Sequence, residues 1–353
     1  MSGNFVQRGE PAIFNKFTRT KAALLCGADI VVELPSPWAC SFAENFAFGA
    51  VSVLKEFNVN KLYFGSETLN INLLKQIAEV DNNLKINDCK NKTYATLRSE
   101  AIKEILGKKA FDILKTPNNN LGIEYIKASN KLGANFEFVP IERKNVGHDS
   151  WDIVDNFTSA TNLRDLIVNN KPFLNFVPLE LHELYECEID NGKYLDYKKF
   201  QNSVITHLRR INDFSNIPDI DFSLEKRLTK AIIKAKTLDE LLELVKTKRY
   251  TLARIRRIVT NVYLAQNNDY TLKKVPYINI LGFTKNGEKT LKNAAKSSEV
   301  PFVTATKFNK PCDNKTNELL KEETIRNDIY SSLLINPDEC KKDFTNGIIK
   351  LEV

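Results

Sequence analysis

The 353-residue sequence predicts an α/β fold in which a mostly parallel sheet domain precedes a mainly α-helical domain. In the first half, short β-branched or aromatic runs alternate with segments of helical spacing, which indicates βαβ crossovers and parallel strands. A chain of this length usually forms two domains. Because the pattern changes near Lys171-Pro172, we expect domains at residues 1–171 and 172–353.

The individual elements follow from the spacing of the apolar residues. The runs predicted as strands are Ala28–Leu34, Val59–Phe64 and Phe136–Ile141, and the predicted helices are Thr18–Cys26, Ala43–Phe57, Thr93–Leu106 and Asn120–Leu132. From Phe173 onward helical spacing dominates, with one apolar run, Val275–Gly282, that we interpret as a strand. The polar, glycine-rich opening Ser2–Pro11 is typical of a loop, and the charged end after Pro337 is expected to fray.

The composition is that of a globular protein and excludes several classes. Hydrophobic residues make up 42% and charged residues 27% of the chain. The longest apolar runs are far too short to span a bilayer, and no signal segment opens the sequence, so we expect a cytoplasmic protein with no membrane partner. The six cysteines form no Cys-x-x-Cys pair and the three histidines are dispersed, which disfavours a metal site.

Ligands of parallel sheets bind where the carboxyl ends of strands lead into loops, so these loops are the first place to look for a site. Gly65 follows the second predicted strand and permits close approach of a nucleotide. Arg143, with Lys144 and Asn145, follows the third strand and suits a phosphate or a carboxylate. Taken alone, each loop also fits an ordinary turn or a solvated cation.

Two further candidates lie at predicted helix starts. One is the pair Asn118 and Asn119. The other is the turn that contains Ser159, Thr161 and Arg164, where backbone N–H groups and a guanidinium could receive phosphate oxygens. An ordinary capped helix is the alternative at both places.

Cations are concentrated in two places. The opening loop leads into a helix with Lys16, Arg19 and Lys21, which could face an anion unless the loop is a solvated tail. In the second half, the cations between residues 246 and 257 are Lys246, Lys248, Arg249, Arg254, Arg256 and Arg257. No acid lies among them, and the formal net charge of +7 also favours a polyanionic partner. We expect an RNA surface here, and a solvated charged face is the alternative.

Six stretches of the chain resemble the bacterial tRNA(Met) cytidine acetate ligases. They are Met1–Ala12, Gly27–Pro35, Tyr63–Glu67, Pro117–Gly122, Ser159–Arg164 and Leu244–Thr251. The resemblance implies a nucleotidyltransferase-like, Rossmann-like domain that uses ATP, with Mg²⁺, to convert acetate into acetyl-adenylate. The acetyl group would then pass to the wobble cytidine of elongator tRNA(Met).

The same resemblance implies roles for the candidate residues. ATP would contact Gly65, Asn118, Asn119 and Arg143, and the turn with Ser159, Thr161 and Arg164 would lie beside the phosphates. The helical half would hold the tRNA, so we expect an RNA partner and no DNA partner.

The sequence departs from that family in one respect. Family members begin with a strand and a His-x-x-His turn that stabilises the phosphates, whereas His148, His182 and His207 are far apart. We therefore expect either an N-terminally short sequence, which we favour because the later loops are intact, or a remnant, and in both cases inefficient adenylate formation. A non-catalytic RNA-binding protein and an adenylyltransferase for another small acid are the alternative functions.

Overall fold

The computed structural model describes residues 1–84, 94–143, 157–304 and 307–352. The elements of the first half are β1 (Phe5–Val6), β2 (Glu10–Pro11), α1 (Lys16–Leu25), β3 (Ile30–Glu33), α2 (Ser36–Ala39), α3 (Ala43–Glu56), β4 (Lys61–Ser66), α4 (Ile71–Asn83), α5 (Tyr94–Leu106), α6 (Lys108–Ile113), α7 (Pro117–Leu132), β5 (Glu137–Glu142) and α8 (Ala160–Val168). Those of the second half are α9 (His182–Asp190), α10 (Tyr197–Leu208), α11 (Phe222–Lys234), α12 (Leu238–Val245), α13 (Leu252–Tyr263), β6 (Ile278–Thr284), α14 (Lys285–Ser297), β7 (Phe302–Thr304), β8 (Lys307–Phe308), α15 (Asn314–Ser332), α16 (Lys342–Thr345) and β9 (Ile349–Leu351).

The predicted α/β class is confirmed, and each predicted strand and helix is present with its ends within about three residues of the prediction. Thr93, the predicted first residue of one helix, lies outside the described residues. The helix α7 begins three residues earlier than predicted, because Pro117 occupies its first turn, and it therefore includes Asn118 and Asn119. Proline suits this place because it has no N–H to leave unpaired.

Besides the hairpin of β1 and β2, the described strands form a two-stranded sheet and a five-stranded sheet. The predicted parallel pairing is present between β4 and β5, where Gly65 lies opposite Ile141. In contrast, β3 pairs antiparallel with β6, and β6 also pairs parallel with β7 and β9. This second sheet contains β3 from the first half of the chain and β6 to β9 from the second half. The two predicted domains therefore contribute strands to one sheet, and a domain boundary at residue 171 stays a prediction.

Two expectations about the chain ends are wrong. The opening segment is a small hairpin, β1–β2, whose Phe5, Gly9 and Pro11 are buried, instead of a loop. As far as residue 352, the charged segment after Pro337 is attached to the fold, because β9 pairs with β6 and Asp343 forms an ion pair with Lys16 at 2.7 Å. Both ends are therefore held by contacts with residues far away in the sequence.

The apolar core is divided among several clusters. The largest is helical and joins the hairpin to α10–α13, while a second fills the space between β4 and the helices α4, α5 and α7. Small residues of α3 and α7, including Ala47 and Ala128, pack together and connect the parallel pair to the rest of the molecule. The strand ends near Gly65 are therefore supported by closely packed, buried helices.

Within the described residues, no helix combines the length and the apolar character needed to cross a membrane.

Candidate functional site

The strand-end cluster consists of Gly65, Glu67, Asn118, Asn119 and Arg143, which meet at the carboxyl ends of β4 and β5. The backbone N–H of Arg143 donates to Ser66 O at 3.1 Å, and an added Cβ on Gly65 would lie 3.7 Å from Arg143 Cγ. The Arg143 guanidinium reaches Asn118 Oδ1 at 3.4 Å. Gly65, Asn118 and Arg143 therefore line one exposed region, where a nucleotide could contact all three. Lys144 and Asn145 lie outside the described residues.

Asn119 is the buried member of this cluster and binds the loop that follows β4. Its side chain is 2% exposed, and its Oδ1 accepts hydrogen bonds from Ser66 Oγ at 2.6 Å and from the backbone N–H of Glu67 at 3.0 Å and Thr68 at 3.2 Å. These bonds satisfy donors that the end of β4 would otherwise leave unpaired. Asn119 thus fixes the loop after Gly65, whereas Asn118 and Arg143 are the side chains available to a ligand.

Glu67 completes the cluster by capping α7. Its Oε2 accepts from the Asn119 N–H at 2.9 Å, and its Oε1 accepts from Asn118 Nδ2 at 2.6 Å. Burial disfavours the charged carboxylate, but these hydrogen bonds outweigh burial and lower the pKa of Glu67. Because a carboxylate already occupies this helix N-terminus, a phosphate in the cluster would meet the exposed side of Asn118 and Arg143.

A second group of candidate residues, Ser159, Thr161 and Arg164, lies at the start of α8, and we call it the α8 turn. Ser159 caps α8 by accepting from the Asn162 N–H at 3.0 Å, as expected for a serine N-cap. The Arg8 guanidinium, from the turn of the hairpin, donates to Thr161 Oγ1 at 2.8 Å. Arg8 therefore lies at the positive end of the α8 dipole, a combination that suits phosphate oxygens, and Arg164 follows about one turn later along the helix.

The hairpin also contacts α13. It therefore connects the α8 turn to the basic segment, which we define as residues 246–257. Thr260 Oγ1 donates to Gly9 O at 2.7 Å, and Arg256 Nη1 pairs with Glu10 Oε1 at 3.1 Å. Gly9 has a positive φ of 74°, and a Cβ there would overlap the backbone of Arg256 and Arg257. Glycine is required both by the backbone conformation and by the close approach to α13.

Gly9→Ala is expected to destabilise the protein more than Gly27→Ala does. Gly27 also has a positive φ, of 94°, but no atom lies within 4 Å of its added Cβ, so Gly27→Ala reports conformational strain alone, about 1–2 kcal/mol. Gly9→Ala adds displacement of the hairpin from α13. Urea unfolding of both variants measures the difference, and equal losses would show that the contact between Gly9 and α13 is unimportant.

The six predicted RNA-binding cations divide into two groups. Lys246, Lys248 and Arg249 are exposed in and beside the turn between α12 and α13, with Lys246 near Glu243 at 3.3 Å. The other three form ion pairs with acids from distant segments: Arg254 with Asp219 at 3.1 Å, Arg256 with Glu10, and Arg257 with Asp219 at 4.0 Å.

Burial shifts the pKa values of two charged groups in the ion pairs of Arg254 and Arg257. It raises the pKa of Asp219, despite the nearby Arg254 and Arg257, and it lowers the pKa of Arg257. Arg254, Arg256 and Arg257 consequently hold α13 in place, while Lys246, Lys248 and Arg249 are the cations most open to a partner.

The expectation that Lys16 and Arg19 face an anion is wrong. Lys16 is 1% exposed and pairs with Glu33 at 3.0 Å and with Asp343 at 2.7 Å. Arg19 donates to the carbonyl oxygens of Phe14, Ser2 and Gly3. Both cations are used inside the fold, because the hairpin, β3 and the C-terminal segment meet at the start of α1.

The comparison with known proteins agrees with this architecture. A model of the HIGH nucleotidyl transferase family matches residues 1–346. A protein of Thermoanaerobacter sp. named tRNA(Met) cytidine acetate ligase is 34% identical over 368 residues, covering 99% of this chain and 91% of that protein. The chain belongs to the tRNA(Met) cytidine acetate ligase family. A relative with the same name from Clostridium perfringens is 36% identical, with 96% and 89% of the two chains covered.

Solved structures of another family member share the fold. The apo structure of Thermotoga maritima TmcAL has a TM-score of 0.90 and 29% identity, and it covers all of this chain and 92% of its own. The structure of the same protein bound to alpha-thio ATP has a TM-score of 0.88, with 28% identity and coverage of 100% and 91%. Both the family indicated by the six sequence stretches and the predicted nucleotidyltransferase fold are therefore confirmed for this chain.

Two contributions to the site escaped sequence reasoning. Arg8 lies in the stretch Met1–Ala12 that carries the resemblance, but nothing local indicates its contact with Thr161, 153 positions away. The place of Glu67 before a predicted helix start near Asn70 makes it a candidate cap of that next helix, but Asn70 caps α4, and Glu67 caps the distant α7. The glutamate after the Gly-Ser turn was the available signal, because acidic residues stabilise helix N-termini.

Proposed function

We propose that this protein is an ATP-dependent acetate ligase that acetylates the wobble cytidine of elongator tRNA(Met). The observation that carries the proposal is the convergence of Gly65, Asn118 and Arg143 at the ends of two parallel strands. It is supported by the names of the relatives and by the similar fold of TmcAL bound to alpha-thio ATP.

The chemistry takes place in two steps. A carboxylate oxygen of acetate attacks the α-phosphorus of ATP, which forms acetyl-adenylate and releases pyrophosphate. The exocyclic amine of the cytidine then attacks the acetyl carbonyl carbon, and AMP leaves as the new amide forms and the amine loses a proton. The protein mainly has to position the reactants and balance the charge of the phosphates.

Each group of residues has a place in this scheme. Arg143 balances phosphate charge, Gly65 leaves room for the nucleotide, and Asn118 supplies a polar contact while Asn119 holds the loop. The resemblance assigns Ser159, Thr161 and Arg164 to the phosphates, and Arg8 would join them there because it contacts Thr161. Lys246, Lys248 and Arg249 contact the RNA backbone, whereas Arg254, Arg256 and Arg257 contribute by orienting α13.

We propose that Mg²⁺ accompanies ATP as a phosphate-bound ion, because enzymes commonly hold Mg²⁺ through substrate phosphates and water. Among the described residues, no cluster of three or more His, Cys, Asp or Glu side chains has a geometry for binding a metal. We place the reaction in the cytoplasm, where both ATP and tRNA are available.

The test is a stoichiometric incubation of the protein with ATP, acetate and a tRNA(Met) transcript, followed by mass spectrometry of the nucleosides. Stoichiometric enzyme and long incubation are used so that even slow formation of the adenylate is detected. The expected product is acetylated cytidine at the wobble position, dependent on both ATP and acetate.

Other results would overturn the proposal. Turnover of a different small acid in place of acetate would contradict the acetate assignment. No product from any acid, with ATP and tRNA both bound, would identify a non-catalytic RNA-binding protein. A transcript with the wobble cytidine replaced by uridine is the matched control, because it removes the acceptor amine.

A further inference from the structure

A row of lysines lies along the outer side of α11. Lys226, Lys230 and Lys234 are spaced four residues apart, so they lie on one side of the helix and advance about 6 Å at each step. All three are exposed, and among the described residues none forms an ion pair with a carboxylate. Like charges at this spacing repel each other, and among the three only Lys234, in the last turn, is favourably placed for the helix dipole.

An exposed aromatic ring stands at the start of this row. Phe222, the first residue of α11, is 69% exposed, and Lys226 Nζ lies 4.1 Å from its ring centroid. An exposed ring next to several cations is the combination that binds single-stranded nucleic acid, since bases stack on the ring while the cations follow the phosphates.

The row is continuous with the basic turn between α12 and α13. Arg227 of α11 donates to the carbonyl oxygens of Val245 at 2.7 Å and Leu244 at 2.8 Å, which holds the end of α12 against α11. Tyr250 OH donates to Asp221 Oδ1, at the N-cap of α11, at 2.9 Å. These hydrogen bonds, made on either side of Lys248 and Arg249, hold the turn that carries them next to α11.

Carboxylates of the neighbouring α12 are engaged with other groups. Asp239 accepts from Gln201 at 2.8 Å, Glu240 accepts from the Lys236 N–H at 2.7 Å, and Glu243 pairs with Lys246. On α11 itself, Glu225 is half-buried in the first turn. The outer side of α11 thus keeps a positive charge that its surroundings do not neutralise by direct pairing.

We propose that the outer side of α11 binds RNA, with Lys226, Lys230 and Lys234 along the phosphates of one strand and Phe222 stacked on an unpaired base. The choice of RNA rests on the proposed function, since the surface extends the predicted tRNA surface at Lys248 and Arg249. The phosphate-following lysines supply affinity without sequence preference, and the stacked base favours a loop or an end over a duplex.

The test measures binding of a fluorescent tRNA(Met) transcript at several salt concentrations. The triple variant Lys226→Ala, Lys230→Ala and Lys234→Ala is expected to bind at least tenfold more weakly at low salt. The slope of log affinity against log salt should fall by roughly 2–3, since each lost phosphate contact removes about 0.7–0.9. Phe222→Ala should weaken binding while leaving the slope unchanged.

The matched control removes three exposed lysines from α14, a helix of equal length, by Lys285→Ala, Lys289→Ala and Lys296→Ala, which leaves the ion pair between Lys292 and Glu288 intact. It loses the same formal charge and should bind with the wild-type slope. Circular dichroism of each variant checks that its helices remain. An equal loss in both triple variants would show a general charge effect and overturn the assignment to α11.

Two further results separate this proposal from the proposed function. If Lys248→Ala with Arg249→Ala weakens binding but the α11 variant does not, the α11 surface is wrong while the ligase function stands. If the α11 variant loses binding but the wild-type protein forms no acetylated cytidine, the surface stands and the ligase function fails. Loss of binding to anionic phospholipid vesicles, with tRNA affinity unchanged, would assign α11 to a membrane surface and contradict the proposal.

Discussion

Replacing Lys16 by methionine is expected to lower the free energy of unfolding by about 3–5 kcal/mol. The ammonium group is buried and lies 3.0 Å from Glu33 Oε2 and 2.7 Å from Asp343 Oδ1. Methionine fills a similar volume but leaves both carboxylates in a low-dielectric interior without their cation. Chemical denaturation at pH 7 measures the loss.

The pH dependence identifies the cause of that loss. Burial would lower the pKa of Lys16, but Glu33 and Asp343 outweigh it and raise the pKa well above that of a free lysine. In the wild type, the contribution of charged Lys16 to the free energy of unfolding is therefore complete below about pH 10, the pKa of an unfolded lysine. It is lost as pH rises through the raised pKa of Lys16. Burial raises the pKa of Glu33, and removing Lys16 raises it further. The stability of Lys16→Met should consequently fall as pH rises through the pKa of Glu33, with its deficit smaller in acid than at pH 7.

Two comparisons test this explanation. Lys21→Met removes an exposed lysine from the same helix and should change stability little. Lys16→Met combined with Glu33→Gln should recover part of the loss, because the unpaired charge of Glu33 is then gone. A deficit in Lys16→Met that stays constant from pH 4 to pH 8 would attribute the loss to packing instead of charge.

The helices and strands could be predicted from sequence because the period of apolar residues is a local property. The start of α7 was also readable: Pro117 favours the first turn of a helix, and giving it more weight would have placed Asn118 and Asn119 inside α7. The antiparallel pairing of β3 with β6 could not be read in this way. Asn279 of β6 donates to Glu33 of β3 across 246 positions, and no local pattern encodes a partner at that distance.

The same contrast separates the parts of the candidate site. Gly65 and Arg143 come together because both follow parallel strands, and the carboxyl ends of such strands meet at one edge. The basic segment was harder to interpret, since no acid lies between Leu244 and Ile258. Asp219 and Glu10 reach Arg254 and Arg256 through the tertiary fold. A lack of acids nearby in sequence therefore does not show that cations are free.

Arg143→Ala is expected to weaken ATP binding by about 10- to 100-fold, since a hydrogen bond to a charged group contributes about 1.5–3 kcal/mol. The side chain is exposed and forms one long hydrogen bond, to Asn118 at 3.4 Å, so the free energy of unfolding should hardly change. Isothermal titration with ATP measures the affinity. Arg143→Lys should be intermediate, because lysine keeps the charge but cannot form two parallel bonds to a phosphate.

Lys61→Ala is the matched control for Arg143→Ala. Lys61 is an exposed cation at the opposite end of β4, paired with Glu137 at 3.0 Å, so its removal changes the formal charge equally while leaving the strand-end cluster intact. ATP affinity should then remain close to wild type. If Lys61→Ala and Arg143→Ala weaken binding equally, the effect belongs to the overall field of the protein. If neither does, the nucleotide binds away from the ends of β4 and β5, and the α8 turn with Arg8 becomes the place to test next.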